Sequence, residues 1–201
     1  KQRTPTAKIL AMVKADGYGH GAVEMARALS GADALGVARI SEAIELVDAG
    51  IDSDIVLMEG CFDADEYALA IRHDFQLVIH SETQLTQFLA LTPPQPLRVW
   101  LKLDTGMHRL GFTPEQFKQA YERLMACRHC AQPLQLMTHF ACADDVQHAF
   151  NDEQLALFQD SIQGMDGKLS VANSATILTR PDRHLDWVRP GIILYGASPV
   201  L

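Results

Sequence analysis

Eight short, β-rich apolar runs alternate with amphipathic segments from one end of this chain to the other, and few folds accommodate that rhythm. The runs cover residues 8–15, 34–39, 54–59, 75–80, 97–104, 134–140, 168–173 and 187–195. Each is apolar along most of its length, as strands covered on both faces must be. The stretches between them keep helical spacing. Ile40, Ile44, Val47 and Ile51 recur four, three and four residues apart, and Phe117, Tyr121 and Leu124 recur four and three apart. A helix is also expected over 22–30. Helix starts are marked where a side-chain oxygen can cap orphan backbone N–H groups and a residue three later can reach back: Asp63 with Glu66, Ser81 with Gln84, Thr113 with Gln116, and Asn151 with Gln154. Pro114 suits a first helical position, where its missing N–H is no loss.

Eight such strands separated by helices predict a parallel (β/α)8 TIM barrel. An open, doubly wound sheet of the same strands satisfies the same pattern, because closure is not written in the sequence. No repeat, linker or low-complexity tract interrupts it, so residues 1–201 read as one domain. The chain starts without Met and stops at Ser198-Pro199-Val200-Leu201 with no terminating signal, and is read as a piece of something longer.

A net charge of −8 argues against nucleic acid or an anionic membrane surface as partner, since both reward clustered Lys and Arg. No stretch approaches the roughly 20 apolar residues that span a bilayer, and the N-terminus lacks the apolar core of a signal peptide. A cytoplasmic protein is expected. The four cysteines, Cys61, Cys127, Cys130 and Cys142, form no dense framework and are read as reduced thiols. Cys127 and Cys130 make a lone C-x-x-C around His129 with no second pair at metal-ligand spacing, so two thiols near a helix end are expected and no metal site.

In a barrel of this kind, chemistry sits at strand exits and the loops after them. Lys14 closes the first run, Lys102 and Asp104 the fifth, His139 the sixth, Asn173 and Ser174 the seventh, and Arg189 lies on the eighth. Lys14 follows a β-rich run with no evident salt partner, a setting that desolvates its amine and favours condensation with an aldehyde. Gly17, Gly19, Gly21 and Gly191 permit close backbone approach, as a phosphate cradle requires.

Four segments, in order, carry a resemblance. They are Val13-Lys14-Ala15-Asp16-Gly17-Tyr18-Gly19-His20-Gly21, Lys102-Leu103-Asp104-Thr105-Gly106-Met107-His108-Arg109-Leu110-Gly111, Thr138-His139-Phe140-Ala141, and Val188-Arg189-Pro190-Gly191-Ile192-Ile193-Leu194-Tyr195-Gly196. The chain resembles the N-terminal barrel of alanine racemases, enzymes that use pyridoxal 5'-phosphate to interconvert L- and D-alanine and so supply D-alanine for peptidoglycan. The resemblance implies that Lys14 holds the cofactor. It implies that Tyr18, Ser174 and the backbone of Gly191 and Ile192 hold its phosphate, with Asn173 beside them. Arg189 would face the pyridine nitrogen, hydrogen-bonded by His139. Arg109 would contact the cofactor's phenolic oxygen and the substrate carboxylate. Lys102 resembles a lysine carbamylated in some members, against which pairing with Asp104 or another carboxylate is the competing account.

The resemblance also implies a homodimer and a C-terminal β-rich domain, absent from this sequence, that contributes a catalytic tyrosine across the interface. Tyr18 and Tyr195 do not match that tyrosine, and without it turnover by the chain alone is not expected. Two rival functions remain open at this level. A non-catalytic barrel that carries the cofactor has no need of Arg109, and an amino-acid decarboxylase or aldolase on a barrel would place a carboxylate where Arg189 stands. Alanine alone or serine as well is left open.

Overall fold

The computed structural model describes residues 2–200; Lys1 and Leu201, the two ends of the domain as read from sequence, lie outside the described residues. Eight parallel strands follow one another as β1 (Lys8–Met12), β2 (Ala34–Val37), β3 (Ile55–Leu57), β4 (Gln76–Ile79), β5 (Leu97–Lys102), β6 (Cys130–Met137), β7 (Lys168–Ser170) and β8 (Trp187–Val188). From β1 to β7 every strand pairs with its sequence neighbour, and β8 returns to pair with β1. The seam between β7 and β8 is bridged by Asp186 N–H to Leu169 O at 3.2 Å, Arg189 N–H to Ala172 O at 2.9 Å and the Ser170 hydroxyl to Trp187 O at 2.9 Å. The sheet therefore closes, nearly completely, into the expected barrel, and the open-sheet alternative falls away.

A left-handed helical turn, α1 (Lys14–Gly19), follows β1. The helices that wrap the barrel are α2 (Ala22–Ala28), α3 (Ile40–Asp48), α4 (Ala64–Arg72), α5 (Glu82–Leu89), α6 (Pro114–Met125), α7 (Phe150–Ser161) and α8 (Ser174–Thr179). Two apolar layers result. Leu10, Ala34, Val56, Val78, Trp100, Met137 and Trp187 fill the barrel, while Leu35, Leu57, Leu77, Leu101 and Leu136 face outward onto helix residues such as Leu46, Leu85, Phe117 and Phe158. Each fully buried Leu, Val or Phe side chain among them contributes roughly 1.5–3 kcal/mol. Gly36 keeps the interior open for its neighbour, since a Cβ there would lie 2.3 Å from the Met12 terminal methyl. No helix among the described residues is long and apolar enough to cross a membrane.

Asp63, Ser81 and Thr113 cap α4, α5 and α6 as expected, and Pro114 is a first-turn residue. Asn151 does not cap. The helix α7 starts one residue before it, and the Asn151 amide instead donates to Cys142 O and Asp145 O. The first strand ends at Met12 rather than residue 15, and the last at Val188 rather than 195, because Pro190 has no N–H to donate and Ile192–Tyr195 curls into a 3-10 turn. Lys14 therefore opens a turn, His139 lies two residues beyond β6, and Arg189 lies one beyond β8. All four cysteines are free thiols; Cys127 follows α6, and Cys130 opens β6.

Candidate functional site

A cavity of about 630 Å³ opens at the C-terminal ends of the strands. It is lined by Lys14, Tyr18, Lys102, Arg109, His139, Asn173, Ser174, Arg189, Gly191 and Ile192, whereas Asp104, Gly17, Gly19 and Gly21, also singled out from the sequence, do not line it. Five strand exits, those of β1, β5, β6, β7 and β8, deliver them to one place although they span most of the chain.

Lys14 emerges half-buried where the β1 ladder stops, just after Val13 N–H donates to Gly36 O at 2.9 Å. The next four residues, Ala15 to Tyr18, all have φ between 52° and 57°, a left-handed stretch unusual for L-residues. Three contacts hold it. Gly17 N–H donates to Val13 O at 2.9 Å, Ala22 N–H to Asp16 Oδ1 at 2.8 Å, and Ala15 N–H to Glu42 Oε1 at 2.6 Å. The other oxygen of Glu42 accepts from Ala38 N–H at 2.6 Å. One carboxylate on α3 thus ties the lysine turn to the exit of β2, a role that sequence reasoning missed.

This turn sends the Tyr18 side chain across the barrel mouth to Gly191, where a Cβ would meet the Tyr18 hydroxyl at 2.5 Å. Glycine at 191 is what admits the phenol. The Ser174 hydroxyl accepts from Gly191 N–H at 2.8 Å, so that amide already has a partner, while Ile192 begins the following 3-10 turn. Asn173 caps α8, accepting from Thr176 N–H at 3.1 Å. Tyr18 stacks on Tyr195 with ring centroids 4.7 Å apart, and the Tyr195 hydroxyl donates to Met12 O at 2.8 Å. Burial raises the Tyr18 pKa, with the charge of Arg109 opposing, so the phenol stays a donor at neutral pH.

Arg189 is buried beneath these groups. Its guanidinium donates to the Ser170 hydroxyl at 2.6 Å and to Thr138 O at 2.5 Å, and meets His139 Nδ1 at 3.4 Å. Burial lowers its pKa to about 10, which leaves it charged at neutral pH. A permanent donor at Nδ1 makes that nitrogen an acceptor, so the His139 proton sits on Nε2. Burial, then the charges of Arg189, Lys102, Arg109 and Lys14, holds the His139 pKa well below the ordinary range and keeps the imidazole neutral.

Lys102, buried at the end of β5, is displaced in the same sense. Desolvation comes first, then repulsion from Arg189, Arg109 and Lys14, and together they bring its pKa down to about 7. Asp104 attracts it too weakly to compensate. That carboxylate turns instead into its own loop, accepting from Gly106 N–H at 2.9 Å and His108 N–H at 3.0 Å, and facing His108 Nδ1 at 3.0 Å. The pairing of Lys102 with Asp104 considered from sequence is not formed. Among the described residues no carboxylate makes an ion pair with Lys14, Lys102, Arg109 or Arg189. Four cations around one cavity suit a ligand carrying more than one anionic group. The lining also includes Met58, Glu59, His80 and the exposed Phe62, whose ring lies 4.6 Å from the Arg39 guanidinium.

Comparison with known proteins identifies the relatives of the chain and of its fold. Residues 1–199 match the family model described as "Alanine racemase, N-terminal domain". The chain is 46% identical over 200 residues to an alanine racemase of Shewanella baltica (strain OS155 / ATCC BAA-1091), covering all of this chain and 56% of that protein. Among solved structures, it superimposes on the biosynthetic alanine racemase from Pseudomonas aeruginosa with a TM-score of 0.94 and 44% identity, and on the alanine racemase from Acinetobacter baumannii with a TM-score of 0.93 and 38% identity. In both, all of this chain is covered, against 56% of the other. The chain spans little more than half the length of these relatives.

Proposed function

The chain belongs to the alanine racemase family, and from that premise we propose that it is the barrel of an enzyme that interconverts L- and D-alanine with pyridoxal 5'-phosphate. The observation that carries the reading is the convergence of Lys14, Tyr18, Arg109, His139 and Arg189 on one cationic cavity with no carboxylate paired to its cations.

The residues present fit the cofactor. Tyr18, Ser174 and the turn at Gly191 and Ile192 would hold its phosphate, in a cradle that any side chain at 191 would fill. Asn173 borders that cradle. Arg189 would face the ring nitrogen; the partners described above engage both of its terminal nitrogens, and its Nε has none among the described residues. When bound, the cofactor supplies an aldehyde and an electron-withdrawing ring that weakens the bond to the substrate's α-hydrogen.

Lys14 would hold the aldehyde and carry a proton to and from the α-carbon on one face. Arg189, unable to lose its proton near neutral pH, offers only a donor. A ring nitrogen facing it must accept, which limits electron withdrawal and favours simple return of the proton. A decarboxylase or aldolase with a carboxylate at this place would do the reverse. Arg109 presents a rigid fork suited to a carboxylate, for which a non-catalytic carrier has no need. Lys102, partly neutral near pH 7, would add to carbon dioxide, forming an N–C bond and releasing a proton. The carbamate would give Arg109 the anionic partner it lacks. Labelled bicarbonate should then produce a carbamate resonance that Lys102→Met abolishes.

Inversion needs a base on each face. Tyr195 is engaged by Met12 O and Tyr18 lies against Gly191, so the second base in this reading comes from a further β-rich domain across a homodimer interface. The acidic charge and free thiols suit a cytoplasmic setting. The test is alanine incubated with the chain and cofactor in deuterated water. Deuterium entering the α-position of one enantiomer only is expected from Lys14 acting alone, with full racemisation in a dimer that supplies the second base. Decarboxylated or transaminated products without α-deuteration would overturn the reading.

A further inference from the structure

We propose that Gln154 is a positioning residue that fixes the loop carrying Arg109 against the loop carrying His139, and so sets the selectivity of the site for an amine that bears a carboxylate. The proposal rests on the function proposed above.

Gln154 lies on α7 and is fully buried. Its carboxamide reaches both loops at once. Oε1 accepts from Ala141 N–H at 2.8 Å, while Nε2 donates to His139 O at 3.2 Å and to the Thr105 hydroxyl at 3.0 Å. The Thr105 hydroxyl in turn bonds that of Thr138 at 2.8 Å, and Thr138 O accepts from Arg189. The chain of contacts therefore runs from Arg189 through the backbone before His139 to Thr105, four residues ahead of Arg109. Thr105 and Thr138 are themselves buried, and neither they nor Gln154 leave a buried polar atom without a partner.

A second contact from α7 reinforces the first. Gly106 has φ +132°, and the Phe150 ring occupies the space where a Cβ would stand. The arginine loop is thus gripped by α7 at two adjacent residues. Packing alone does not call for a carboxamide here. An apolar residue of the same volume would avoid desolvating an amide, which is costly unless every bond is made. What the carboxamide adds is geometry: donors and an acceptor at fixed angles, able to hold two loops in one register. The exposed Arg109 has no ion-pair partner of its own among the described residues, so its placement depends on its loop.

The test compares the unaltered chain with Gln154→Met, which keeps volume and removes every bond, and with Thr105→Val, which cuts the arm to the arginine loop together with the Thr105–Thr138 bond and leaves the two bonds of Gln154 to the His139 loop. Thr105→Ser restores the hydroxyl. Two readouts are used. In the cofactor-free chain, amide hydrogen exchange should rise in residues 104–112 for Gln154→Met and Thr105→Val, and in residues 138–143 for Gln154→Met. In the cofactor-loaded chain, spectral titration with alanine and with ethylamine, which lacks the carboxylate, should show the preference for alanine falling about tenfold in both variants and recovering in Thr105→Ser. Cofactor affinity should stay within about threefold, since no cofactor contact is removed. An unchanged alanine preference in Thr105→Val, or exchange that rises in neither loop, overturns the assignment. An unaltered chain that takes up no cofactor overturns the proposed function instead, and the exchange readout then decides alone whether Gln154 ties the loops.

Discussion

At the end of the barrel where the strands begin, charged side chains meet partners of opposite charge; at the end where they stop, Lys14, Lys102, Arg109 and Arg189 are gathered with no carboxylate paired to them among the described residues. Arg98 on β5 bridges Asp54 at 2.5 Å and Asp74 at 2.9 Å, and Lys168 reaches Asp186 at 3.1 Å. Asp54 also accepts from Gln76, which accepts from Trp100 inside the barrel at 2.8 Å. Burial would lower the Arg98 pKa, but bonds and charge from Asp54, then Asp74, outweigh it and raise it. At the other mouth the same kind of group behaves oppositely, and Arg189 and Lys102 are both pulled down. The difference teaches that one end is arranged for the fold alone and the other for a ligand the fold does not supply. Variants at the two ends should therefore separate stability from chemistry.

The largest effect is expected at Lys14. Lys14→Arg keeps a cation but removes the primary amine, so borohydride trapping of the cofactor followed by peptide mapping should find no label on residue 14. Cofactor-dependent α-deuteration of alanine should fall by about a hundredfold or more. Thermal stability should be nearly unchanged, as Lys14 makes no ion pair at the mouth. A label recovered on Lys8 or Lys102 in the unaltered chain would overturn the assignment.

Next is Lys102→Met, which should stabilise the cofactor-free protein. The folded state depresses this amine from 10.5 to about 7. Between those values the unfolded chain binds more protons than the folded one, so stability contributed by this group rises with pH across that window. The variant's advantage should be largest below about pH 7, on the order of a few kcal/mol, and should vanish by about pH 10.5. Urea titrations in carbon dioxide-free buffer, read as the difference between variant and unaltered chain, isolate it from other titrating groups. An advantage that does not change with pH would mean that Lys102 is not a buried cation. At the opposite end, Asp54→Ala should cost about 1 kcal/mol, as expected of a part-exposed bridging carboxylate, and leave cofactor affinity untouched.

The same contrast explains what was legible in the sequence. Strand rhythm, caps at Asp63, Ser81 and Thr113, and the residues at strand exits are written locally, in period and in short motifs, so barrel and cavity lining could both be read. What failed to show depends on contacts distant in sequence. Gln154 meets Thr105 across 49 positions, and Asn151 and Gln154 together mimic a capping pair although both lie inside a helix. Glu42, 27 positions from Ala15, looks like any acidic residue in a first turn. The glycines around Tyr18 hinted at unusual backbone, but not that four residues in a row turn left-handed.

That turn supplies the smallest effect and the finest test of the contrast. Ala15 sits at φ 52° and ψ 53°, where a Cβ costs roughly 1–2 kcal/mol. Glycine would remove that strain while adding roughly 0.5–1 kcal/mol of unfolded-chain entropy to be lost on folding. Ala15→Gly should thus stabilise the fold by up to about 1 kcal/mol in urea titration, with the bond from residue 15 N–H to Glu42 retained. The strain lies beside the amine and at the ligand end, where stored strain is expected to serve placement. Relieving it should widen the positions open to Lys14, so cofactor affinity should fall severalfold even as stability rises. Opposite signs in the two measurements would show that this mouth of the barrel gives up stability for placement. A variant that gains stability with no loss of affinity would leave the strain a by-product of the Gly-rich turn, and a variant that loses stability would mean that Glu42 and Asp16, not the Cβ, decide the conformation.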